Sequence, residues 1–259
     1  MRRGKRGLSL IFLVLAACAP LEPRPAGTPA FGLLGDVPYS SAEAERLDRL
    51  IDEMNAQELA FVVHVGDIGR STVAQACSDD WLEKRKAQFA RIRHRFVLLP
   101  GDNEWSDCAR HGIDPMARLR KWRELFCETP QEYCEHARWE AGGWVFVTLN
   151  VPGSNNNLHH PEYPRRMQAV FAWLNEAAAL AANNKGLVVL MQANPFVTSP
   201  RDGYGALRSR LQELGARSPR RIVLIHGDTH LYRDDEPLPG VRRIEVWGSP
   251  FVDWTRLGL

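Results

Sequence analysis

The apolar runs FGLLGD, FVVHVGD, FVLLPGD and IVLIHGD all close on Gly-Asp, which leaves Asp36, Asp67, Asp102 and Asp228 at four equivalent places in the chain. A single Gly-Asp after a strand is ordinary turn chemistry. Four of them carry a different implication. In an α/β sheet the functional crevice lies beyond the carboxyl ends of the strands, so four such carboxylates converge on one edge. Clustered carboxylates repel one another and resist ionisation unless a cation neutralises them. These residues in this pattern point to a metal centre.

The elements that must position them follow from the hydrophobic pattern. Short apolar runs at Ala30 to Leu34, Phe61 to Val65, Phe96 to Leu99, Trp144 to Leu149, Leu187 to Met191, Ile222 to Ile225 and Ile244 to Trp247 read as strands. Helical patterns separate them: Leu47, Leu50, Ile51 and Met54 after a Ser40-x-x-Glu43 capping box, then Trp81 to His94, Glu162 to Ala182 and Tyr204 to Leu214. Strands regularly separated by helices predict an α/β domain. With 259 residues, 44% hydrophobic and 25% charged, the composition excludes a disordered, collagenous or coiled-coil chain. One domain over 30–259 is the simplest parse.

The first residues read as an export signal: a basic stretch from Met1 to Arg6, then an apolar run from Leu8 to Ala17 that is short of the roughly 20 residues of a spanning helix. Leu15-Ala16-Ala17-Cys18 resembles the lipobox of bacterial lipoproteins, which implies a signal peptide over 1–17 and a lipidated Cys18 opening a Pro-rich tether over 18–29. Ala19 is similar to the pattern sorted to the outer membrane of Gram-negative bacteria. The expected location is therefore the cell envelope, with the membrane reached through the lipid anchor. The formal charge is +2, and removing Arg2, Arg3, Lys5 and Arg6 with the leader leaves about −2, a body without the field that a nucleic-acid binder needs. Cys77, Cys108, Cys127 and Cys134 remain, an even number in an exported chain, and two disulfides are expected in one of three pairings. No C-x-x-C unit supports a zinc site instead.

The order and context of the Gly-Asp motifs resemble the calcineurin-like metallophosphoesterase superfamily, in a divergent bacterial form with GDNEW and GDTH strings. That resemblance implies two mixed β-sheets packed face to face and flanked by helices, a four-layer α/β/β/α fold. It also implies two metal sites, one held by Asp36, Asp67 and His230 and the other by Asp67, Asp102, Gln192 and Asp228, with Asp67 bridging. Pro38, Asp102, Gln192 and Asp228 stand where the family has His, Asn, His and His, and Asn103 stands in the place of its catalytic His. Of the replacements only Pro38 cannot bind a metal. An oxygen-rich set with one imidazole suits Mn²⁺ first, with Fe, Mg²⁺, Ca²⁺ or Zn²⁺ as other occupants. Two metals roughly 3.5–4 Å apart can hold a hydroxide for in-line attack on phosphorus, so hydrolysis of a phosphomonoester or phosphodiester, small or lipid-linked, is expected. With Asp67 and Asp102 at one centre their following loops are neighbours, which pairs Cys77 with Cys108 and leaves Cys127 for Cys134.

Asn103 can donate a hydrogen bond but cannot deliver a proton, so the general acid is sought among His159, His160 and Glu104. Asn150, Arg165 and Arg166 are candidates to bind substrate. His64 and His226 lie inside apolar runs and are expected to be core histidines, while Trp105 and Trp247 either wall the crevice or pack in the core. No nucleotide-binding Gly-rich loop and no serine-hydrolase elbow is present. Pro38 and Asn103 also fit a catalytically degenerate lipoprotein that binds metal or phosphate without turnover. In a purely structural envelope lipoprotein the four Gly-Asp turns would be only turns.

Overall fold

The computed structural model describes residues 30–197, 199–219 and 221–259. The signal peptide, Cys18 and the tether lie outside the described residues. Two mixed sheets face each other. The first contains β1 (Phe31–Leu34), β2 (Val62–His64) and β3 (Phe96–Leu98) in parallel, with β10 (Thr255–Leu257) antiparallel to β1, in the order β10-β1-β2-β3. The second runs β4-β5-β6-β7-β9-β8. Its parallel centre is β5 (Trp144–Thr148), β6 (Gly186–Leu190), β7 (Ile222–His226) and β9 (Val241–Glu245), bordered by antiparallel β4 (Arg138–Ala141) and β8 (Arg233–Leu238).

Strand alternation divides the core. Val188, Leu190, Val223 and Ile225 point between the sheets and meet Phe31, Leu33, Val63 and Phe146. Leu187, Val189 and Leu224 point outward to α5 (Tyr163–Ala181) and α6 (Gly205–Arg217), meeting Val170, Leu174, Leu207 and Leu211. On the other side Leu34 and Val62 are covered by α1 (Ser41–Asn55) and α2 (Asp79–Phe89) through Leu47, Ile51, Met54, Leu82 and Phe89. Strands buried on both faces are what read in the sequence as unbroken apolar runs. The layers are helix, sheet, sheet, helix, the expected architecture.

The strands β4, β8 and β10 and the helix α3 (Pro115–Phe126) were not anticipated. β8 is RDDEPL and lies at an edge with exposed charges, so it carries no hydrophobic signal. α3 does have a start signal, since Asp114 caps it by accepting from Met116 N at 2.9 Å and Pro115 sits in its first turn. The capping box at α1 is half formed. Ser40 accepts from Glu43 N at 3.2 Å, but the Glu43 carboxylate turns to Tyr39 N at 2.6 Å and to the Ser249 hydroxyl at 2.7 Å.

Candidate metal centre

Asp36, Asp67, Asp102, Gln192 and Asp228 follow the carboxyl ends of β1, β2, β3, β6 and β7, so parallel strands in both sheets deliver them to one edge of the sandwich. The backbone there turns through the left-handed region, with φ 53° at Asp36, 60° at Asp67, 82° at Asp228 and 61° at His230, a conformation that Asp and His enter more readily than most side chains. The glycines of the motifs have a packing reason besides turn geometry. A Cβ at Gly101 would stand 2.0 Å from Asp67 Oδ1, and one at Gly227 would stand 2.1 Å from Asp36 Oδ2. Each of these glycines makes room for the carboxylate of a different strand, which ties the Gly-Asp pairs into one interlocked cluster.

The hydrogen bonds define the present arrangement. Asp228 N donates to both oxygens of Asp36, at 3.0 and 3.1 Å. Asp67 accepts from Asn103 N at 3.1 Å, from Gln192 Nε2 at 3.1 Å and from the Tyr39 hydroxyl at 3.2 Å. Asp102 Oδ2 accepts from Ser154 Oγ at 2.8 Å, while its buried Oδ1 has no partner among the described residues. Asp102 Oδ1 and Asp228 Oδ1 each lie 2.7 Å from where a Gly153 Cβ would be, so both face one small space beneath that glycine. Behind the cluster, Glu104 accepts from Asp67 N at 3.1 Å, from Gly101 N at 2.6 Å and from Ile68 N, fixing two of the Gly-Asp loops. Buried Glu245 accepts from Thr229 N at 3.2 Å and holds the GDTH loop in the same way.

Protonation follows from this crowding. Burial raises the carboxyls of Asp36, Asp67 and Asp102 well above the usual range, and neighbouring carboxylates raise them further: Asp228 for Asp36, Asp102 for Asp67, Asp107 for Asp102. Burial pushes Asp228 up to about 6 and Glu104 up to about 7, against the pull of their backbone N–H partners. Burial and the charge of Asp67 also raise the Tyr39 phenol, which is therefore a neutral donor. Such a set disfavours its fully ionised form unless a cation neutralises it.

Among the described residues no three His, Cys, Asp or Glu side chains stand close enough to grip a metal ion as placed, because hydrogen bonds hold the carboxylates. The donor chemistry nevertheless fits a divalent cation. Asp102 Oδ1 is an unpaired buried oxygen, and the imidazole of His230 has its Nδ1 on Ser249 O at 2.6 Å. That contact puts the proton on Nδ1 and leaves the Nε2 lone pair facing inward, 3.8 Å from Asp36 Oδ1 and 3.4 Å from the Tyr39 hydroxyl.

The structure brings Asp36, Asp67, Asp102, Asn103, Gln192, Asp228 and His230 together, and it corrects several expected roles. Gln192 turns its amide nitrogen to Asp67, while its oxygen accepts from Gly153 N. Flipping the amide to offer oxygen would leave a buried N–H unpaired, so in this arrangement Gln192 acts as a donor to the cluster. Asn103 spends both amide hydrogens, on the Tyr39 hydroxyl at 3.0 Å and on Gly69 O at 2.8 Å, and so has none for a phosphoryl oxygen. His159 and His160 do not line the cavity; His160 Nδ1 instead accepts from Glu162 N at 3.2 Å before α5. Glu104 is occupied by backbone and is no free acid. Arg165 is exposed and pairs with Glu132, and Asn150 donates to Glu135 at 2.8 Å. Arg166, 1% exposed, is consumed by Asn150 O, Asn156 and Glu162. Its long side chain is long enough to reach a phosphate, but its buried position makes it a structural tie. His64 and His226 are core histidines, each bonded to a backbone carbonyl, and Trp105 is fully buried.

Residues that the sequence reading did not place in the centre are Ser154, Arg110, Arg70 and, above all, Tyr39. The cavity of about 620 Å³ over the cluster is lined by Tyr39, Asp67, Asp102, Asp228 and His230, with Arg70, Arg110 and Ser154 at its rim. Ser154 opens a left-handed turn in which Ser154, Asn155, Asn156 and Asn157 have φ between 48° and 58°. Asparagine is the residue that tolerates this region best after glycine, which explains the run of three. The disulfide Cys77–Cys108 packs its sulfurs against Asn103 O and joins the loops after Asp67 and Asp102; Cys127–Cys134 is the second pair.

No family model and no curated protein sequence matches the chain. Among solved structures it is similar to a dimetal phosphatase from Danio rerio, with a TM-score of 0.58 and 15% identity over 86% of this chain and 88% of that one. It is also similar to GAP50, the anchor in the inner membrane complex of Plasmodium, with a TM-score of 0.56 and 12% identity over 85% and 72%. At such identities the likeness shows the fold, the calcineurin-like phosphoesterase architecture of two mixed sheets with flanking helices.

Proposed function

We propose that this chain hydrolyses phosphoric esters with the help of two divalent cations, Mn²⁺ first among them. The observation that carries this reading is the set of four strand-end aspartates, buried, crowded and raised above the usual carboxyl range, with one carboxylate oxygen unpaired among the described residues. Asp36, Asp67, His230 and the Tyr39 hydroxyl would hold one cation, and Asp67, Asp102 and Asp228 the other. When bound, the cations supply a nucleophile at neutral pH and neutralise charge on the phosphoryl and leaving oxygens. The protein's own residues do the rest. Asn103 fixes the Tyr39 hydroxyl, Ser249 O fixes the His230 tautomer, Glu104 and Glu245 hold the loops, and Arg70 brings positive charge to the rim for an incoming ester, where Arg110 is paired with Asp107.

A second reading is favoured by Asn103, whose amide is committed within the protein at the place of the family's catalytic His: a scaffold that binds metal or phosphate without turnover. In either case the export signal supports a lipid-anchored envelope protein, and acyl labelling that disappears in Cys18→Ser tests it. Metal analysis, followed by phosphate mono- and diesters with Mn²⁺, Fe²⁺, Zn²⁺, Mg²⁺ and Ca²⁺, separates the two functions. Asp67→Asn should lose the metal and all turnover, since removing a charge shared by two cations costs several kcal/mol and each 1.4 kcal/mol is tenfold. Full metal and full activity in that variant would falsify the two-metal reading, and metal without turnover in the wild type would leave the binding scaffold.

A further inference from the structure

Beside the acidic cavity lies a second one, of about 500 Å³, and the two share Tyr39 and Arg70 in their walls. Its charge is opposite. Arg70, Lys84 and Arg85 line it, and among the described residues Glu45 is the only carboxylate that does. Arg85 is the unusual member. Only 8% exposed, it stacks its guanidinium over the Trp81 ring at 4.8 Å, yet its Nε and one terminal nitrogen have no hydrogen-bond partner among the described residues.

Buried guanidinium N–H groups without acceptors are costly, and each calls for an explanation, a bound anion among them. Burial pulls the Arg85 guanidinium below its usual range, and Asp48 offsets this in part. The Asp48 Oδ1 that lies nearby is itself engaged by Gln88 and Arg91, so it does not satisfy Arg85. The cavity is fixed to the candidate centre by Trp81, whose indole N–H donates to Ile68 O at 2.7 Å, one residue from Asp67.

We propose that this basic cavity is a subsite for a second phosphate group of the substrate, so that the preferred ester carries one phosphate at the aspartate cluster and another held by Arg85, Lys84 and Arg70. The assignment rests on the hydrolase reading for the first phosphate but not for the second. Guanidinium forks recognise phosphate oxygens two at a time, and the Trp81 stack presets the plane of Arg85 for that purpose.

Two measurements on the full-length chain test it. In EDTA no cation is present to hold phosphate at the aspartate cluster, so calorimetric binding of inorganic phosphate, compared between the wild type and the Arg85 and Lys84 variants, reads the basic cavity. Saturable binding is expected in the wild type, weakened at least tenfold in Arg85→Gln and in Lys84→Ala; Lys84 is exposed, so the second variant keeps its fold. With Mn²⁺, the ratio of kcat/KM for glycerol bisphosphate over glycerol 3-phosphate should exceed ten and fall to about one in both variants. Absence of saturable phosphate binding, or equal binding in wild type and Lys84→Ala, overturns the subsite. Binding that weakens in the variants while the ratio stays unchanged assigns the cavity to free phosphate and overturns the substrate assignment. The binding arm needs neither cation nor turnover, so its outcome is independent of whether the chain hydrolyses esters.

Discussion

The side-chain amide of Asn103 donates to the Tyr39 hydroxyl at 3.0 Å, and that hydroxyl in turn donates to Asp67 at 3.2 Å and lies 3.4 Å from His230 Nε2. Asn103 thus acts on the centre through Tyr39. With Pro38 unable to bind a metal, the phenol one residue later occupies the space between Asp67 and His230.

A double-mutant cycle tests this relay. Tyr39→Phe should weaken metal affinity and lower hydrolysis about tenfold or more, the loss of one donor to the centre. Asn103→Ala should keep its metal and lower hydrolysis by about 10–100-fold, within the range for a lost positioning contact. The double variant should be scarcely worse than Tyr39→Phe, since residues in one network are not additive. Fully additive losses would show that Asn103 works independently of Tyr39.

The carboxyls predict a pH-dependent response to cations. In the metal-free protein, burial raises Asp228 from 3.8 to about 6, and Asp36, Asp67 and Asp102 also rise. The folded state then binds more protons than the unfolded chain, so these groups' contribution to stability declines as pH rises through that window. A cation must displace those protons. The increase in Tm on adding Mn²⁺ should therefore grow between about pH 5 and pH 7.5, and an increase that is flat or larger at pH 5 counts against a cation among these carboxylates.

His136 provides a prediction away from the centre. It is 4% exposed, neither ring nitrogen has a hydrogen-bond partner among the described residues, and burial lowers it from 6.5 to about 4, with Glu135 opposing and Arg123 and Arg166 assisting. Unfolding lets it take a proton, so wild-type stability is lost as pH falls from about 6.5 through about 4. His136→Phe keeps the ring contacts with Tyr133 and Trp173 and removes that titration. Urea midpoints should show the variant gaining on the wild type by about 1–3 kcal/mol between pH 7.5 and pH 4.5. An unchanged difference would place the acid sensitivity elsewhere.

Short-range pattern was enough to determine the strands that carry the aspartates. A parallel strand covered on both faces is apolar throughout, and the Gly that ends it must admit a close neighbour, a carboxylate at Gly101 and Gly227 and side chain or backbone at Gly35 and Gly66, so both requirements are written into six or seven consecutive residues. The same logic made α1 legible through Leu47, Leu50, Ile51 and Met54, all buried. Charged edge strands such as β8 have no such requirement and left no trace. The roles of single polar side chains depended on partners far away in the chain. Tyr39 meets His230 across 191 positions, Gln192 meets Asp67 across 125, and Arg166 is enclosed by a turn that only the α5 packing brings over it. A hydrogen bond depends on direction and on distances of a few ångströms, which composition and periodicity do not encode. The tertiary structure therefore decided that Gln192 offers nitrogen and not oxygen, that Arg166 is buried rather than free to bind, and that Tyr39 belongs to the centre.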